Sequence, residues 1–142
     1  MIGADTTFLV QLELKETPGH AAAHALLKRE ILDPGIPLGL SPQVLAEFIH
    51  VVTDPRRFQH PLTMDAAVAK ARFWWQAVEV KPLLPTVEST ALALHWLHQH
   101  RLGRKRILDT QLAALFWSRG VRSLISSNAA DFQLFGFTVM AP

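Results

Sequence analysis

Short apolar, β-prone runs alternate along this chain with longer stretches of helical periodicity. That alternation limits the fold more than any single motif does. Residues 2–5, 36–40, 80–84, 123–127 and 137–141 read as strands, and helical patterns fill most of the chain between them. Phe8, Leu9 and Leu12 share one helical face after the capping pair Thr6–Thr7. A second helix is expected over 20–31, ended by Asp33-Pro34-Gly35. Ser41 followed by Pro42 is a strong helix start, and Val44, Leu45, Phe48, Ile49 and Val52 form the stripe behind it. Further helices are expected from Asp65, over 87–102, and from Asp109 to a stop at Gly120. Parallel strands need crossover helices. The pattern therefore predicts an α/β fold, a parallel sheet with helices on both faces, in a single domain over 1–142.

Composition supports a packed domain. The chain has 142 residues, 49% hydrophobic and 18% charged, a balance that suits a sizeable core and not a disordered tail. With no cysteine, disulfides and thiolate metal sites are excluded. No apolar run approaches the ~18–20 residues of a membrane span. The start, MIGADTTFLV, lacks the basic region of a secretion signal, so a cytoplasmic location with no membrane partner is the default expectation. A Walker loop, a Gly-rich dinucleotide fingerprint and a G-x-S-x-G elbow are all absent. The net charge is only +2, but Arg101, Arg104, Lys105 and Arg106 gather just ahead of Asp109 and can attract phosphates.

The acids carry the chemistry. Asp5 ends the first strand, where it reads either as a helix N-cap or as a ligand. Asp109 opens the helix before the fourth strand. Asn128 and Asp131 follow that strand in a polar loop. Glu47 lies on the flank of the third helix, where a glutamate usually serves solvation alone. In a parallel α/β sheet, strand ends and helix starts share one rim. Carboxylates gathered there repel, and a hard divalent cation resolves the repulsion. Mg²⁺ prefers oxygen ligands and keeps several waters, which suits an open acidic rim and a phosphodiester substrate.

Asp5 in IGADTTFLV, Glu47 in SPQVLAEFIHVV, Asp109 in RILDTQLAALFWSRG and the closing LISSNAADF resemble the PIN domain family, specifically the VapC-type toxins of toxin–antitoxin pairs. The resemblance spans the chain. It implies a three-layer α/β/α fold with a parallel sheet of about five strands. It further implies a Mg²⁺- or Mn²⁺-dependent endoribonuclease that forms a homodimer and is inhibited by a small antitoxin protein. Asp5, Glu47 and Asp109 match three acidic ligands. The fourth position falls on Asn128, a neutral residue with a carbonyl oxygen, or on Asp131. Ser127 matches a hydroxyl position that holds substrate or water. Arg104, Lys105 and Arg106 then fall on the RNA-binding rim, and Trp74 and Trp75 offer a subunit contact. The alternative is a PIN-like binding module that no longer cuts and acts through its antitoxin. Asn128 in the acidic set motivates it.

Overall fold

The computed structural model describes all residues, 1–142. Five short strands pair in one all-parallel sheet: β1 (Ile2–Ala4), β2 (Leu38–Leu40), β3 (Val80–Pro82), β4 (Ser123–Ile125) and β5 (Thr138–Met140). Their order across the sheet is β3-β2-β1-β4-β5, so the first strand lies in the middle. The register sets Ile2 beside both Leu38 and Ser123. Each predicted strand is present, trimmed to three residues. Pro82 is tolerated inside β3 because that strand is an edge, where one ladder donor can be spared.

Seven α-helices cover the sheet. They are α1 (Thr6–Glu13), α2 (His20–Leu27), α3 (Pro42–Val52), α4 (Met64–Gln76), α5 (Val87–Gln99), α6 (Ile107–Ser118) and α7 (Ala129–Gln133). The first four pack against one another, and α5, α6 and α7 form the second group. Strands 1 to 3 step one way across the sheet, and β4 returns to the far side of β1. Right-handed crossovers then put the two helix groups on opposite faces, giving the α/β/α layers.

Local chemistry explains most element ends. The Ser41 side chain caps α3 by accepting from Val44 N–H, with Pro42 at the first helical position. Thr86 and Ser89 form a reciprocal capping box on α5. At the end of α6 the Val121 N–H reaches the Phe116 carbonyl and the Gly120 N–H the Trp117 carbonyl. That pairing is a Schellman closure. Gly3 fixes the central contact between sheet and α6. A Cβ there would stand 2.7 Å from the Phe116 ring.

The structure refines two expectations. The second helix ends as a π-turn over Lys28–Leu32. The segment after β4, expected as a loop, folds into α7. Its Asp131 N–H bonds the Asn128 carbonyl, and Phe132 is fully buried beneath it. One buried aromatic is enough to anchor a turn whose polar composition reads as loop.

Candidate active site

The strand order reverses between β1 and β4. In open parallel sheets such a switch point leaves a crevice at the C-terminal strand ends, because the two flanking crossovers lie on opposite faces. Asp5 follows β1 directly, and Ser126, Ser127 and Asn128 follow β4. The topology thus puts both segments at that crevice.

Asp5 is 4% exposed and fully engaged. Its Oδ1 accepts from the Phe8 N–H at 3.1 Å and the Thr7 hydroxyl at 2.7 Å. Its Oδ2 accepts from the Ser126 hydroxyl at 2.5 Å. The N-cap role and a place in the acidic rim therefore coexist. Burial pushes this carboxyl above the usual range, against the pull of its hydrogen bonds.

Glu47 reaches the same place from α3, half-buried beside Phe48. Its Oε2 accepts from the Thr6 hydroxyl at 2.8 Å, and its Oε1 from the Gln43 amide at 3.1 Å. Gln43 also donates to the Leu108 carbonyl at 2.8 Å, one residue before Asp109. One amide therefore ties α3 to the first turn of α6.

Asp109 is the third residue of α6 and half-buried. No hydrogen bond reaches its carboxylate. Burial comes first in pushing its carboxyl up to about 6, followed by the negative charges of Asp131, Glu47 and Asp5, with Arg106 pulling the other way. The four acids thus share one electrostatic neighbourhood.

Asp131 stands in the first turn of α7, paired with Arg106 at 3.3 Å. A guanidinium nitrogen of Arg106 also donates to the Asp131 backbone carbonyl at 2.8 Å. Arg106 is therefore a half-buried clamp on α7, whereas Arg104 and Lys105 are exposed on the turn before α6. Asn128 is exposed and its side chain forms no capping bond. Ser127 is exposed as well. Its Oγ accepts from the Gln11 amide at 2.9 Å and its N–H donates to Thr7 Oγ1. Trp74 is buried with its indole N–H on Glu13, while Trp75 lines a surface groove with Leu45 and Ile49.

Ser126 is the residue that sequence reasoning passed over. It is completely buried, donates to Asp5 and accepts from the Asn128 N–H at 2.9 Å. Two adjacent serines follow β4, and the pleat decides which turns inward. The signal available was Asp5 itself, a buried acid in need of a donor.

The donor set suits a hard divalent cation: four carboxylates, only oxygen atoms, and one nearby guanidinium. In the present rotamers no three of these side chains converge on one coordination point. Asp5, Glu47 and Asp131 are turned toward protein donors, and Asp109 alone is unspent. The largest cavity, about 530 Å³, lies elsewhere, lined by Ile36, Pro37 and Val80 at the opposite strand ends, and holds none of the four acids.

The PIN domain family model matches residues 3–136. The fold is similar to Mycobacterium tuberculosis VapC20, a sarcin–ricin loop cleaving toxin, at TM-score 0.76 and 24% identity, covering 97% of each chain. It is also similar to VapBC2 of Rickettsia felis bound to a DNA fragment from its promoter, at TM-score 0.66 and 16% identity, covering 99% of this chain and 98% of that one. A third likeness is to VapBC-1 of nontypeable Haemophilus influenzae, at TM-score 0.64 and 19% identity, covering 99% and 98%. No curated protein matches the sequence.

Proposed function

The chain belongs to the PIN domain family, and on that premise we propose that it is a divalent-metal-dependent endoribonuclease, the toxin of a toxin–antitoxin pair. One observation carries the reading. Acids from the β1–α1 junction, α3 and α7 surround Asp109 of α6 at the sheet switch point, held there by the Thr6, Gln43, Ser126 and Arg106 contacts. A cluster of repelling carboxylates has no structural use. It costs stability until a cation neutralises it. The VapC20 likeness is consistent with RNA as substrate, and the VapBC likenesses with an antitoxin partner.

Asp5, Glu47 and Asp109 would hold Mg²⁺ or Mn²⁺, with Asp131 or Asn128 completing the set. A bound cation would supply an activated water and offset the negative charge that develops on the phosphate oxygens. Ser126 orients Asp5 from behind, and Thr6 and Gln43 do the same for Glu47. The exposed Arg104 and Lys105 draw the RNA phosphates toward the rim. The exposed Met64, Val68 and Phe73 of α4 offer apolar area to a second copy in a homodimer.

The test is cleavage of RNA by purified protein in Mn²⁺ and in EDTA. The wild type cuts only with the metal, and Asp109→Asn falls to background with an unchanged circular dichroism spectrum. Wild-type cutting by Asp109→Asn sinks the proposed site. Absence of both metal binding and cutting in the wild type favours a binding module instead.

A further inference from the structure

Arg106 is the cation set among the four carboxylates, and its hold on Asp131 is firm. A terminal guanidinium nitrogen donates to the Asp131 backbone carbonyl at 2.8 Å, and the Nε lies 3.3 Å from Asp131 Oδ1. That Nε is sealed from solvent and makes no directed hydrogen bond, so its contact with the carboxylate is one of charge. Both side chains are under a third exposed, so the pair is only partly hydrated. Parting it would leave a poorly solvated cation beside a poorly solvated acid. The Asp131 N–H is tied as well, to the Asn128 carbonyl. Asp131 is thus fastened at its side chain and at both of its backbone groups.

The two sides of Asp109 therefore differ. Toward α1 and α3 stand Asp5 and Glu47, whose partners are neutral hydroxyls, an amide and a backbone N–H. Toward α7 stand an acid already matched by a cation and the neutral, exposed Asn128. Charge decides how many ions such a rim takes. Two divalent cations in one site sit about 3.5–4 Å apart, and their mutual repulsion has to be met by acids on both. On the α7 side no carboxylate is free to do so.

We propose that Arg106 stands in for a second metal ion at Asp131, so that the rim takes one divalent cation, on Asp5, Glu47 and Asp109. The inference rests on the metal-dependent reading of the site. It adds the number of ions and the acid that stays off them. Arg106 is a positioning residue here, keeping Asp131 on α7. The carbonyl oxygen of Asn128 is then the protein donor left for the remaining place.

Counting ions tests it without any assay of cleavage. Mn²⁺ is titrated into the purified protein, and the free ion is read by electron paramagnetic resonance. The wild type binds one Mn²⁺ per chain. Arg106→Gln, which frees Asp131, binds two. Arg106→Lys keeps the charge and stays at one, and Asp131→Asn added to Arg106→Gln returns the count to one. Mg²⁺ titration of the wild type, followed by carboxyl carbon NMR, gives a second reading that no variant's folding can affect. The Asp5, Glu47 and Asp109 signals shift together in one saturable step, and Asp131 stays with Arg106. Two ions in the wild type, one ion in a folded Arg106→Gln, or an Asp131 signal that moves with the other three overturns this inference alone. A wild type that binds no Mn²⁺ or Mg²⁺ at millimolar concentration overturns the metal-dependent reading and this inference with it.

Discussion

Asp5 and Asp109 carry the same side chain into the same crevice, yet their surroundings are opposite. The β1–α1 junction gives its acid two donors, Ser126 beyond β4 adds a third, and the acid is sealed from water. The first turn of α6 gives its acid no hydrogen bond and three like charges. Both carboxyls are pushed up, by burial at Asp5 and by burial together with repulsion at Asp109. Asp5 holds the fold together at the crevice, whereas Asp109 is charge left over for something else. A stability experiment should separate the two even where an activity assay cannot.

The largest effect on stability is expected at the first. Asp5→Ala removes the cap of α1 and orphans Ser126, lowering stability by about 2 kcal/mol. The urea midpoint reads this directly, and Asp5→Asn, which keeps a capping side chain, should recover much of it. An unmoved midpoint in Asp5→Ala would dissolve the contrast.

Removing Arg106 sharpens it from the other side. Arg106→Gln takes away the one cation that lowers the Asp109 carboxyl and loosens α7. It should destabilise by about 1 kcal/mol and move the Asp109 titration, followed by carboxyl NMR, above its present value of about 6.

Asp109→Asn should do the reverse of Asp5→Ala. The folded carboxyl, raised to about 6, holds its proton more tightly than the unfolded one at 3.8. Its contribution to stability is present below pH 3.8 and is lost as the pH rises through about 6. In EDTA the variant should therefore match the wild type at the acidic end. At neutral pH it should exceed the wild type by about 1 kcal/mol, discounted for the solvent screening of a half-buried group. Thermal melts across that range measure it, and added Mg²⁺ should close the gap. A variant less stable than the wild type at neutral pH contradicts the idea of unspent charge.

How much of this was legible in the residues follows from what each signal depends on. The strands and most helix starts are local matters of apolar runs, caps and prolines, so Ser41–Pro42 and Gly120 mark their helices unaided. Asp5, Glu47 and Asp109 stood out through a family resemblance that their own spacing only hints at. Arg106 reads as one of several surface charges. Its half-buried clamp on Asp131 exists only because α6 and α7 meet in three dimensions. Ser126 and Gln11 were invisible for the same reason. Their partners lie more than a hundred positions away.

The hydrogen bond from Ser126 to Asp5 spans 121 residues, and β1 completes its pairing only when β4 docks beside it. The acidic rim therefore draws on both ends of the chain. A chain that has folded only its first three strands has Asp5 but no Ser126, Asp109 or Asp131 near it. Whatever chemistry the rim performs, the fold withholds it until nearly the whole chain is in place.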